Sequence, residues 1–103
     1  MQEINSTLEE QATHGRWIIV PTSNVFSVDE VTRVINFPVK TGKDINTTVI
    51  ENSLKQLVAW ADTAPRKHGK FYLSKAIIGK GRWTSVFPLF DEYLDSRFVA
   101  VGA

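Results

Sequence analysis

Hydrophobic residues repeat at helical spacing most clearly in the middle of the chain. The spacing i, i+4, i+7, i+8 and i+11 places them on one side of an amphipathic helix. Thr48 and Glu51 can cap this helix, and Pro65 closes the region. The pattern predicts a helix at about 47–62 that packs on a sheet through its apolar residues, which are Ile50, Leu54, Leu57, Val58 and Ala61.

Short apolar runs near the two ends of the chain predict buried strands. The segments RWIIV at 16–20 and RFVAV at 97–101 are short and partly β-branched, as buried strands are. Between the chain start and the first run, Ser6-Thr7-Leu8-Glu9 has the spacing of a capping box, and Gly15 suits a helix end. We therefore expect a short helix at 6–13.

Residues 25–39 carry two conflicting patterns. A capping box at Ser27-Val28-Asp29-Glu30, with Phe26 placed to contact Val31, favours a helix at 28–36. Alternating β-branched and aromatic residues over 31–39 favour a strand instead. The capping box decides for the helix, and the strand remains the alternative. A turn at 41–44 follows.

A glycine-containing segment predicts a β-hairpin in the second half of the chain. Its strands are 70–78 and 82–87, joined by Gly79-Lys80-Gly81, where glycine permits positive φ. Pro88 then suits the first turn of a short helix. Together these elements predict a single α+β domain over residues 1–103, with a mixed sheet of about four or five strands packed by the helix at about 47–62.

Composition narrows the class of protein. The 103 residues suit one domain, and the absence of cysteine excludes disulfides, zinc–thiolate sites and cysteine nucleophiles. The net charge of +1 hides an asymmetry: residues 63–90 hold six of the twelve basic residues and none of the eleven acidic ones. Such a charge imbalance points to a partner. We find no signal peptide and no run long enough to cross a bilayer, so a cytoplasmic protein without membrane contact is expected.

Candidate catalytic groups are few. His14 and His68 are the only histidines, and they would have to act as acid and base of an RNase-like enzyme beside Lys67 or Arg16. A phosphate-loop motif is absent because Phe37 stands where its first glycine is required. No spacing suggests a metal site. We expect no cofactor and favour a protein that is not an enzyme.

The basic segment at 66–83 also contains aromatic residues. Proteins that bind single-stranded nucleic acid combine cations along the phosphates with aromatic rings that stack on bases. We therefore predict a nucleic-acid-binding protein that uses the hairpin through Arg66, Lys67, Lys70, Tyr72, Lys75, Lys80, Arg82 and Trp83.

Two other functions fit the same residues. A small protein-binding module, such as an inhibitor, adaptor or assembly factor, would dock its hairpin edge or basic face on an acidic partner. The RNase-like enzyme is the third possibility. Lysines on an exposed edge strand also discourage aggregation without binding anything.

Overall fold

A mostly parallel sheet forms the centre of the computed structural model, which describes residues 1–4, 16–23, 25–41, 44–63 and 69–102. Within these residues six strands form the sheet, in the order β1-β8-β7-β2-β4-β3, and β5 pairs with β6 in a separate ribbon. The strands are β1 (Gln2–Ile4), β2 (Trp17–Thr22), β3 (Ser27–Asp29), β4 (Val34–Pro38), β5 (Lys40–Thr41), β6 (Asp44–Ile45), β7 (Phe71–Ser74) and β8 (Phe98–Val101).

Neighbouring strands of the sheet run parallel, except that β3 is antiparallel to β4 at one edge. The predicted α+β class and the mixed sheet are confirmed, with more strands than the expected four or five. The buried strands predicted at 16–20 and 97–101 are β2 and β8. The helix predicted at 6–13 lies outside the described residues, as do the two central residues of the turn predicted at 41–44.

Helix α1 (Thr47–Ala61) confirms the helix predicted at about 47–62. Its cap is Asn46 rather than Thr48, because the Asn46 side chain accepts hydrogen bonds from the backbone N–H groups of Thr48 and Val49 at 2.9 and 3.2 Å. Four residues of the predicted apolar stripe are buried, namely Ile50, Leu54, Leu57 and Ala61, and Val58 is half-buried beside them. Ser53 shares this buried face, and its hydroxyl donates to the carbonyl oxygens of Pro38 and Val49 at 2.7 and 2.9 Å.

Two helices replace the hairpin predicted at 70–78 and 82–87. After the short strand β7, the chain forms α2 (Lys75–Ile78) and α3 (Lys80–Tyr93), with Gly79 between them at φ 101°. The hairpin prediction is wrong because β7 and β8 are parallel neighbours, and parallel strands require a long crossover rather than a tight turn. The crossover helix buries Trp83, Val86 and Phe90 at helical spacing, and Leu94, directly after its end, is buried as well.

Pro88 lies in the interior of α3, not in the first turn of a helix as predicted. Proline has no N–H to donate to the preceding turn, which disfavours it inside a helix by about 3 kcal/mol. The Pro88 side chain is exposed, so the ring takes no space in the core. The apolar face of α3 on either side of it is buried, and that burial offsets the cost.

The helix predicted at 28–36 is also wrong, since β3 and β4 form an antiparallel hairpin across a turn. The carboxylate of Asp29 accepts the backbone N–H groups of Val31 and Thr32 at 2.9 and 3.2 Å. These backbone hydrogen bonds lower the pKa of Asp29. Arg33 ends the turn at φ 58°. Asp29, which lies inside the predicted capping box, caps a turn instead. β4 falls inside the alternative strand at 31–39.

The core lies between one face of the sheet and the helices α1 and α3, which also contact each other. Phe37 from β4, Phe71 from β7 and Phe98 from β8 are fully buried in it. On the opposite face Ile18 and Val99 are buried as well. Strands covered on both faces are typical of parallel sheets. Among the described residues, no helix has the length and apolar character needed to cross a membrane.

Arg97 ties the end of α1 to the start of β8. Its guanidinium donates to both carboxylate oxygens of Asp95 at 3.0 and 3.1 Å, to Asp62 Oδ1 at 2.7 Å and to the carbonyl oxygen of Ala61 at 3.3 Å. The hydrogen bond to Asp95 is the main cause of a raised pKa at Arg97. Partial burial acts to raise the pKa of Asp95, but the hydrogen bonds and charge of Arg97 outweigh it and leave that pKa below 3.8.

Candidate functional site

The two aromatic residues predicted to stack on bases are buried. Trp83 is 7% exposed, and its indole N–H donates to Glu3 Oε1 at 2.7 Å. Its ring also contacts Phe87 and Phe90, with centroids 5.7 and 5.4 Å away. Tyr72, on β7, is 8% exposed. Neither ring offers an open face, so the stacking part of the sequence prediction is wrong: Trp83 lies on the buried side of a helix and Tyr72 in an interior strand.

The predicted basic residues whose side chains the structure describes do not form one continuous surface. Lys70 precedes β7 and donates to the carbonyl oxygen of Ser96 at 3.1 Å, whereas Arg82 lies beyond the other end of β7. The four residues of β7 span about 13 Å at the usual rise of a strand. Lys75 is the first residue of α2, and its Nζ forms an ion pair with Glu3 Oε1 at 3.9 Å. Lys80 is the first residue of α3.

Four residues of the sequence hypotheses lie outside the described residues. They are Arg66 and Lys67 of the basic segment and the two histidines of the RNase-like alternative, His14 and His68. The site that the structure does define therefore rests on other side chains.

Two basic residues line a crevice at one end of the sheet. Lys40 is the first residue of β5, two residues after the end of β4, and Arg82 lies in the first turn of α3. The crevice is called the cationic crevice below, and its lining residues are Pro21, Val39, Lys40, Ile45, Ile78 and Arg82. None of these is acidic, and neither cation forms an ion pair with another described residue. The lining thus combines two basic residues with four apolar ones.

The position of the cationic crevice is set by the chain path. From β7 the chain leaves through α2 and α3 toward β8, whereas from the adjacent β2 it leaves in the opposite direction, toward β3 and β4. In open sheets of parallel strands, ligands bind outside the carboxyl ends of the strands where the connections diverge in this way. Pro21 from β2 and Ile78 from α2 place the crevice at that point.

The start of α3 adds to the positive potential there. Because Ile78 and Arg82 both line the crevice, the first turn of α3 between them lies beside it. Gly79, the residue before the helix, provides no side chain to cap the first N–H groups. A helix amino terminus carries about half a positive charge. The three sources of positive charge reinforce each other.

Sequence reasoning missed Lys40 and found Arg82 for another reason. Lys40 stands outside the basic segment at 63–90, so the charge asymmetry gave no indication of it. Only the parallel pairing of β2, β4 and β7 brings it beside Arg82. A lysine directly after a β-branched strand is the weak signal that was available.

Clusters of metal ligands and unpaired buried polar side-chain atoms are both absent from the described residues. No group of three His, Cys, Asp or Glu side chains gathers among them as metal ligands. Every buried side-chain nitrogen and oxygen that the structure describes has a hydrogen-bond partner. Comparison of the chain with protein-family models, curated proteins and solved structures finds no match.

Proposed function

We propose that this chain binds nucleic acid and that Lys40 and Arg82 contact its phosphate groups. The observation that carries the proposal is the convergence of these two cations, from distant parts of the sequence, on a crevice without carboxylates. A guanidinium donates to phosphate through two parallel hydrogen bonds, and an ammonium group adds a point charge. Burial of Trp83 and Tyr72 limits the contact made there to the backbone of the ligand.

The size of the electrostatic effect follows from the number of cations. Each phosphate contact on a single strand contributes about −0.7 to the slope of log K against log salt. Lys40 and Arg82 together therefore account for a slope of about −1.4. Further cations outside the crevice would make the total slope steeper without changing this share.

The test compares variants that remove one charge each. Lys40→Gln and Arg82→Gln are each expected to flatten the slope by about 0.7 and to weaken binding of a labelled oligonucleotide. Lys70→Gln is the matched control, because Lys70 lies at the other end of β7 and is not part of the proposed surface. The measurement is fluorescence anisotropy between about 50 and 200 mM salt, where electrostatic association changes most.

Two results would overturn the proposal. One is the absence of oligonucleotide binding at about 50 mM salt, which would favour the alternative in which the crevice docks on an acidic protein. The other is an equal loss of affinity and of salt slope in Lys70→Gln and Arg82→Gln. That result would show that binding depends on the net charge of the protein and not on the cationic crevice.

A further inference from the structure

A second depression adjoins the cationic crevice at Lys40. It runs between the segment before β3 and the amino-terminal half of α1, and Lys40 lines both depressions. We call it the amide groove, after the two carboxamide side chains on its wall. Its volume of about 450 Å³ falls in the range of sites that hold small organic groups.

One wall of the amide groove is a flank of α1. Val49, Asn52 and Gln56 are spaced i, i+3 and i+7, so they lie along one side of the helix, next to its buried stripe. Asn52 and Gln56 are exposed. A carboxamide carries two donors and an acceptor that pair with the edges of nucleobases.

The opposite wall is apolar and open. Val25 is 80% exposed, and the neighbouring Phe26 is half-buried, so both leave hydrophobic surface facing the groove. A flat, uncharged group with polar edges and apolar faces fits between such a wall and the carboxamides. The face of a nucleobase stacks on apolar and aromatic side chains regardless of sequence.

We propose that the amide groove takes one unpaired nucleobase whose adjoining phosphate lies at Lys40 and Arg82. This inference rests on the proposed function and deepens it, because it makes a single strand the preferred ligand. In a duplex the Watson–Crick edge of each base is paired and its faces are stacked on neighbouring bases, so a duplex cannot place a whole base between the two walls of the groove. Lys40, at the junction of the two depressions, contacts the phosphate that connects them.

The experiment separates base contacts from phosphate contacts. The probes are a labelled single strand, its duplex, and a strand of equal length whose sugars lack bases. The protein should bind the single strand about 5- to 150-fold more tightly than the strand without bases, the range expected for one stacked base. It should also bind the duplex more weakly than the single strand.

The variants then locate the effect. Asn52→Ala with Gln56→Ala, and separately Val25→Ser, should remove most of the preference for bases and leave the salt slope unchanged, since none of these side chains is charged. All three residues are exposed, so the fold should tolerate the changes. Gln2→Ala, an exposed amide on β1, is the matched control and should change nothing.

Equal affinity for strands with and without bases would overturn the inference. If that binding still depended on Arg82, the proposed function would stand without it. Absence of binding to all three probes would overturn both. The inference would also be overturned if the variants at Asn52, Gln56 and Val25 still preferred the single strand over the strand without bases. The base would then bind outside the amide groove.

Discussion

Replacing Trp83 tests whether this residue acts in the core or on a ligand. With 7% of its surface exposed and its ring against Phe87 and Phe90, the side chain contributes mainly to folding. Trp83→Ala removes the ring and leaves a cavity between α3 and its neighbours. Trp83→Phe keeps an aromatic ring but removes the indole N–H that donates to Glu3 at 2.7 Å.

The expected losses differ because the two changes remove different interactions. Truncation of a buried tryptophan to alanine costs about 3–5 kcal/mol of unfolding free energy. The hydrogen bond to a carboxylate contributes about 1.5–3 kcal/mol when fully buried. Glu3 has 44% of its side chain exposed and can turn to water instead, so we expect a cost of about 1 kcal/mol for losing that bond in Trp83→Phe.

Urea unfolding followed by circular dichroism measures both losses, and a double-mutant cycle with Glu3→Ala isolates the hydrogen bond. We expect a coupling of about 1 kcal/mol between Trp83→Phe and Glu3→Ala. Oligonucleotide affinity per folded molecule should be unchanged in Trp83→Phe. A loss below about 0.5 kcal/mol in Trp83→Ala, accompanied by weaker oligonucleotide binding, would refute the core role and restore the stacking role.

Two further predictions concern stability. Leu57 is fully buried, so Leu57→Ala should lower the free energy of unfolding in urea by about 2–5 kcal/mol. The control is Lys55→Ala, because Lys55 is exposed and its loss should change that free energy by no more than about 0.5 kcal/mol. Equal losses in the two variants would show that α1 is not part of the core. The lowered pKa of Asp95 makes its contribution to stability present above about pH 4 and lost as the pH falls through its folded-state value. Asp95→Asn should therefore be less stable than the unmodified chain at pH 7, and the difference should shrink below pH 4; a difference independent of pH would contradict the role given to Arg97.

Helix α1 was predictable because its apolar residues follow one helical period without interruption. The helix α3 carries the same kind of stripe in Trp83, Val86 and Phe90, but two features hid it. Glycines at its start favour a turn, and Pro88 suggests a new helix. Burial of the stripe against the sheet outweighs both local preferences, and that burial depends on β7 and β8 being parallel.

The helix predicted at 28–36 was wrong for a different reason. Ser27 and Glu30 have the spacing of a capping box, but Asp29 between them accepts backbone N–H groups in a turn. Short polar side chains do this in turns as well as at helix starts, so the spacing alone does not distinguish the two. The candidate site was still less accessible to sequence reasoning. Lys40 and Arg82 become neighbours only through the crossover connections, and no local spacing in the sequence encodes that proximity.

The pairing of β1 with β8 sets the order in which the sheet can be completed. Gln2 pairs with Val99 and Ile4 with Val101, and β8 is the one strand beside β1 in the sheet. Contacts between such distant positions close a long loop, which costs entropy and slows folding. During synthesis on the ribosome, β1 emerges before every other strand described and has no partner until β8 follows. Of the strands described, the earliest to be made is thus among the last to be paired.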